Sequence, residues 1–68
     1  MIAIIKQNSV SRLLWVRFFD DSKSDAAIHH MREGDYIVKD APAFVNQEGE
    51  ACIQWAHDCI EDGRAIRV

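Results

Sequence analysis

The sequence predicts an α+β fold, a two-layer sandwich in which two helices cover one face of a mixed four-stranded sheet. Apolar runs rich in Ile, Val, Phe and Trp alternate with two segments of helical periodicity, in the order β-β-α-β-α-β. At 68 residues, of which 49% are hydrophobic, the chain has enough apolar content for one core and is too short for two, so residues 1–68 are predicted to form a single domain. Right-handed crossovers between parallel strands would place both helices on the same face.

The first two strands are predicted to form a hairpin. Residues 2–6 and 12–19 are rich in β-branched and aromatic side chains, and they flank a polar turn at residues 7–9. Two such runs joined by a short polar turn are typical of antiparallel strands.

A helix and a short strand should follow. Ser22 or Ser24 can cap the first helix, which is expected to reach about Glu33 and to end at Gly34, a residue able to adopt the left-handed conformation. Residues 35–39 then have the composition of a short strand.

The second helix has the clearest pattern in the chain. Pro42 interrupts the third strand, and residues 43–45 are either a continuing edge segment or a loop that packs its Phe inward. Asn46 is the expected N-cap of a helix over residues 47–62, with Gly63 as its terminator and residues 64–68 as a last strand. The helical stripe consists of Ala51, Cys52, Trp55, Ala56, Cys59 and Ile60.

Charge is sorted by predicted element. The net charge is −3, yet six of the eight Lys and Arg residues fall in predicted strands, whereas the acidic residues fall in helices, caps and strand ends. This predicts an acidic helical surface opposite a more basic sheet, although helix solubility and protection of edge strands would give the same pattern. The acidic residues predicted to bind a partner are Asp25, Glu33, Glu48, Glu50, Asp58, Glu61 and Asp62.

The second strand has no clean polar face. Alternation separates its residues into two sets, one with Leu14, Val16 and Phe18, the other with Leu13, Trp15, Arg17 and Phe19. If the first set faces the helices, the second is exposed, and its aromatic-plus-Arg composition is typical of interface hot spots. We therefore predict self-association, with a homodimer as the simplest form, through this set. A central strand covered by Phe44 and its loop would show the same pattern.

Motifs for catalysis, cofactors or metals are weak. Asp25, His29 and Glu33 align at helical spacing, but such ladders are more often solvated salt-bridged stripes than metal or hydrolytic sites. Cys52 and Cys59 lie about 10 Å apart along one predicted helix, too far to bond with each other, which predicts reduced core thiols in a cytoplasmic protein. We therefore predict a protein that is not an enzyme, with no catalytic residue, cofactor or metal.

The favoured function is protein–protein interaction, with the acidic helices occluding a basic, nucleic-acid-binding surface of a target. In size and charge alone the chain is similar to small acidic inhibitors encoded by phages and mobile elements, anti-CRISPR proteins among them; no motif assigns it to such a family. The N-terminal apolar run is too short for a signal peptide or a membrane span, so no membrane contact is expected.

Two alternatives stay open. One is a small enzyme or metal-binding protein. The other is a nucleic-acid-binding module whose sheet face stacks bases, although the negative net charge argues against it. Its contacts would be Lys6, Trp15, Arg17, Lys39 and Arg67.

Overall fold

The computed structural model describes residues 1–44 and 49–67 of the chain. Within these ranges it contains four β-strands, two α-helices and one turn of 3-10 helix at Asp21–Lys23. In chain order the elements are β1 (Ile2–Gln7), β2 (Leu14–Phe19), α1 (Ser24–His30), β3 (Tyr36–Val38), α2 (Glu50–Asp62) and β4 (Ile66–Arg67).

The strands form one sheet in the order β2-β1-β3-β4, and every neighbouring pair is antiparallel. The predicted α+β class, the four-stranded sheet and the two helices in the order β-β-α-β-α-β are confirmed. The pairing differs from the predicted mixed sheet. Strands β2 and β3 are parallel to each other, because both run antiparallel to β1, but β1 lies between them and separates the parallel pair.

Strand β1 is buried on both faces and divides the core in two. Ala3 and Ile5 belong to the cluster that packs against α2, whereas Ile2 and Ile4 belong to a second cluster with Ala27 of α1. Since successive residues of a strand point to opposite faces, α1 and α2 lie on opposite sides of the sheet. This differs from the prediction of both helices on one face. An apolar run on β1 shows that both faces of the strand must be buried. It does not indicate which helix packs on which face.

The larger cluster lies between the sheet and α2. The predicted apolar stripe of α2 is confirmed at its centre, where Cys52, Ala56 and Cys59 are fully buried. Three aromatic rings close the edge of this cluster, with centroid distances of 5.8 Å for Phe18–Phe44, 6.0 Å for Phe18–Trp55 and 5.6 Å for Phe44–Trp55. Phe44 therefore packs inward from its loop, which was one of the two predicted alternatives.

The helix ends depart from the sequence patterns in three places. Helix α1 ends at His30, three residues before Glu33, because the backbone turns extended at Met31. Gly34 has a φ of 92° but lies in the turn after the helix. Neither α1 nor the 3-10 turn has a side-chain N-cap hydrogen bond, so the predicted caps Ser22 and Ser24 do not act as such.

The ends of α2 are partly as predicted. Gly63 caps the C-terminus with a φ of 77°, and its N–H donates to carbonyls of the last turn, as expected for a left-handed cap. Gly49 precedes the first helical residue, and the predicted N-cap Asn46 lies outside the described residues.

Truncation of Ile4 tests whether the smaller cluster contributes to folding. Ile4 is fully buried under α1, so Ile4→Ala should lower the free energy of unfolding by about 2–5 kcal/mol in a urea titration. The matched control is Ile28→Ala, which removes an exposed isoleucine of α1 and should change stability by less than about 0.5 kcal/mol. Equal effects of the two changes would show that α1 does not pack on β1 in solution.

Candidate interaction surface

The residues predicted to form an interface, Leu13, Trp15, Arg17 and Phe19, lie on the face of the sheet that carries α1; we call them the β2 patch. Leu13 is 72% exposed and Trp15 is 51% exposed, whereas Phe19 is half-buried beside α1. The alternate residues of β2 point under α2, where Leu14 and Val16 are buried. Helix α1 has seven residues, which is too short to cover both ends of β2.

Aromatic and cationic groups follow one another along the β2 patch. The guanidinium of Arg17 lies 5.9 Å from the centroid of the Phe19 ring, and that ring stacks on His30 of α1 at 5.6 Å with an interplanar angle of 28°. These contacts hold Arg17 and Phe19 in place at one end of the patch. Trp15, at the other end, has no such neighbour among the described aromatic contacts, and half of its surface faces solvent.

A partly buried ion pair lies directly beside Trp15. Lys6 is opposite Trp15 in the β1–β2 register, and its Nζ lies 2.6 Å from Oδ2 of Asp35. The same carboxylate oxygen accepts a hydrogen bond from the backbone N–H of Arg32 at 2.8 Å, and Lys6 also donates to the carbonyl oxygen of His30 at 3.1 Å. The positive charge of Lys6 is therefore compensated within the fold, and Arg17 is the cation that the β2 patch presents.

Sequence reasoning missed this ion pair and the stacking of Phe19 on His30. Lys6 and Asp35 are 29 positions apart, so no local spacing relates them. The sequence offered two weak signals of this pair: a Lys at the end of an apolar strand, and an Asp between a glycine and a strand. Both arrangements are also common on protein surfaces.

The basic residues of the nucleic-acid alternative do not share one face. Arg67 lies opposite Tyr36 in the β3–β4 register, with its guanidinium 5.9 Å from the Tyr36 ring centroid. Tyr36 packs with the α2 cluster, on the side of the sheet away from Arg17. Lys39 lies beyond the end of β3, next to Asp40.

The acidic residues are also divided between the two sides. Asp25 lies in α1 and Glu33 lies just beyond its end, whereas four acidic residues lie on α2 across the sheet; Glu48 falls outside the described residues. The predicted acidic surface shared by both helices is therefore not formed, because the helices cover opposite faces. The acidic residues of α2 are Glu50, Asp58, Glu61 and Asp62.

Three of these residues share the outer side of α2, and we call Glu50, Asp58 and Glu61 the α2 acidic face. At about 100° per residue they lie opposite the buried stripe of the helix. Asp62 is beside this face and pairs with Arg64 at 2.9 Å between Oδ2 and the guanidinium nitrogen. The side-chain amide of Gln54 donates to Asp58 at 3.1 Å. Because this amide is neutral, the carboxylates keep the α2 acidic face negatively charged.

The two cysteines are poorly placed to act as nucleophiles in this arrangement. Burial raises the pKa of both thiols, and the charge of Arg64 only partly offsets this at Cys59. A protonated, buried thiol is a poor nucleophile, even though Cys59 lines an open cleft of about 340 Å³ beside Trp55. Both cysteines are free and buried, as the sequence predicted.

The weak metal candidate on the first helix is not assembled. Because α1 ends at His30, Glu33 lies outside the helix and does not continue the line of Asp25 and His29 along its face. Within residues 1–44 and 49–67, no three His, Cys, Asp or Glu side chains are arranged to hold a metal ion.

No protein-family model, curated protein sequence or solved structure matches the chain. None of the helices in the described part of the chain combines the length and the apolar character required to cross a membrane.

The buried thiols should produce an alkaline loss of stability. Their pKa is raised above the ordinary value of 9.0 in the folded state, so the unfolded chain loses these protons first as pH rises. Their contribution to the free energy of unfolding is complete below pH 9.0 and should decrease above it. Urea titrations across this range should show a steeper decline for the natural chain than for the Cys52→Ala/Cys59→Ala variant. An identical decline of stability with pH in the two proteins would show that the buried thiols are not its cause.

Proposed function

We propose that this protein is a small cytoplasmic binding protein without enzymatic activity, which acts by contact with another protein through the β2 patch. The observation that carries the proposal is the exposure of Leu13 and Trp15, at 72% and 51%, on a sheet face that α1 covers only at one end. Exposed apolar groups that are contiguous and contain Trp beside Arg are typical of protein interfaces.

Two further features support a binding role in a reducing compartment. Burial raises the pKa of Cys52 and Cys59, which favours the unreactive protonated form of both thiols. Free, buried cysteines in a short chain are typical of cytoplasmic proteins, since small secreted domains commonly use their cysteines in disulfides.

A second candidate function is inhibition of a nucleic-acid-binding protein through the α2 acidic face. The specific observation is that every charged residue of α2 is acidic, and that Glu50, Asp58 and Glu61 share its outer side. A surface of this kind is complementary to a groove lined by Lys and Arg, where it would compete with phosphates. This function uses a surface on the other side of the sheet from the β2 patch.

Nucleic-acid binding by the sheet face receives less support. Single-stranded nucleic acids bind to aromatic platforms flanked by several uncompensated cations. Beside Trp15, the charge of Lys6 is compensated by Asp35, and Arg67 lies on the opposite face.

Position-specific crosslinking tests the proposed function. A photoreactive amino acid in place of Leu13 should form protein adducts in cells, because this side chain belongs to the proposed contact and is 72% exposed. The matched control carries the same group in place of Ile66, which is 59% exposed at the other edge of the sheet. Adducts with protein from position 13 alone support the proposal. Equal labelling from both positions, or adducts with nucleic acid only, would refute it.

Charge reversal on the two sides of the sheet tests the inhibitor function. Asp58→Lys/Glu61→Lys should abolish capture of a basic protein from the native host, since it inverts the α2 acidic face. Asp25→Lys/Glu33→Lys makes the same change in net charge on the other side of the sheet and should leave capture intact. The captured protein should also be displaced by duplex DNA. Loss of capture in both variants would indicate a response to net charge rather than to this face.

A further inference from the structure

We propose that the partner of the β2 patch is a second copy of this chain, with the two β2 strands paired antiparallel and Val16 opposite Val16 of the second copy. The inference rests on the proposed function and specifies its partner. It follows from the direction of the backbone groups of β2, the symmetry of a two-fold contact, and the residues that each register brings together.

The backbone direction is fixed by the hairpin. The N–H of Asn8 donates to the carbonyl oxygen of Leu13 at 3.0 Å, so the polar backbone groups of Leu13 face β1. These groups alternate along an antiparallel strand, so the N–H and C=O groups of Leu14, Val16 and Phe18 point away from β1. Strand β2 is at the edge of the sheet, and no hydrogen bond among the described residues engages these six groups.

An open edge with outward-facing donors and acceptors is a template for another strand. Strand β2 has six residues, whereas β4 at the other edge has two, so β2 offers the longer edge. In β2 the outward backbone groups belong to apolar residues and lie directly beside the exposed ring of Trp15. The open edge and the apolar surface thus coincide.

Symmetry restricts the possible registers. A two-fold axis that joins two identical edges in one continuous antiparallel sheet is perpendicular to that sheet, so each residue is opposite one from the same face. The axis must then lie midway between one residue of β2 and the same residue of the second copy, and the central candidates are Trp15, Val16 and Arg17.

Only the register with Val16 at the two-fold axis pairs the whole strand without charge repulsion or an incompatible backbone conformation. A centre at Arg17 places two guanidinium groups opposite each other. A centre at Trp15 extends the pairing to Arg12, whose φ of 60° is incompatible with an extended strand. With Val16 at the centre, Leu14 and Phe18 form hydrogen-bonded pairs across the axis, and all six outward groups are satisfied.

The Val16 centre also brings complementary side chains together. Trp15 is opposite Arg17 of the second copy, and Leu13 is opposite Phe19 of the second copy. Because the backbone groups of Trp15 and Arg17 face β1, these are non-hydrogen-bonded pairs, in which opposing side chains are closest. A guanidinium beside an indole gives a favourable cation–π contact, and the two-fold axis repeats it.

The resulting dimer has a defined arrangement of its outer surfaces. The two sheets join into one of eight strands, counting the four described strands of each copy. An axis perpendicular to the sheet leaves both α2 helices on the same side, so the dimer presents two α2 acidic faces in one direction.

A charge-rescue series tests the register. The natural chain should sediment as a dimer of twice its 7.8 kDa mass. Trp15→Lys places Lys opposite Arg17 of the second copy and should weaken the dimer by about tenfold or more. Adding Arg17→Glu to this variant creates an opposite-charge pair and should restore the dimer. Ile66→Lys, an equivalent change at the β4 edge, should have no effect.

Amide hydrogen exchange provides a measurement that does not depend on variants. The amides of Leu14, Val16 and Phe18 should exchange quickly at low concentration and become protected as concentration rises, whereas those of Trp15 and Arg17 are already bonded to β1. A monomer at all concentrations, slow exchange of these three amides in the monomer, or a dimer unaffected by Trp15→Lys would overturn the inference. If the chain is monomeric but position 13 still crosslinks to a different protein, the proposed function stands and the partner is not a second copy.

Discussion

The rest of the structure depends on the burial of β1. Four consecutive residues, Ile2–Ile5, are shielded from water, and they point alternately to the two faces of the sheet. Each face therefore requires its own cover, and the described part of the chain has two helices with which to supply it. The longer helix covers one face over β1 and β2. The seven-residue helix covers the other face incompletely, and the incompletely covered part is the β2 patch.

The ion pair of Lys6 and Asp35 sets the electrostatics of that open face. It joins the end of β1 to the turn before β3, and the bond from Arg32 N–H to the same carboxylate fixes the exit of the chain from α1. A partly buried pair of this kind is better evidence for chain placement than for net stability, because desolvation offsets much of the Coulomb attraction. Its consequence for function is local, since it compensates Lys6 beside Trp15 and leaves Arg17 as the cation of the patch.

The sheet separates two surfaces of different chemistry. On one side an indole, a leucine and a guanidinium lie next to an open strand edge, where apolar burial and backbone pairing act together. On the other side α2 presents carboxylates without a basic residue in the helix. Apolar contact favours tight, stable association. A face that carries charges of a single sign acts mainly on the rate of encounter and on the choice of partner. Because the two surfaces are separate, the proposed self-association and the proposed capture of a basic target would not compete on the same molecule.

The sequence by itself determined several of the elements: the hairpin from two apolar runs around a polar turn, α2 from the period of its Cys and Trp stripe, Gly63 as its cap, and the two apolar faces of β2, one of which carries Trp15. These are local properties, expressed within a few positions along the chain. The tertiary structure decided which helix covers which face, the antiparallel pairing throughout the sheet, and the end of α1 at His30. Each depends on contacts between distant positions, such as Lys6 with Asp35, so no local period encodes it. The same decisions divided the acidic residues and left the edge of β2 open.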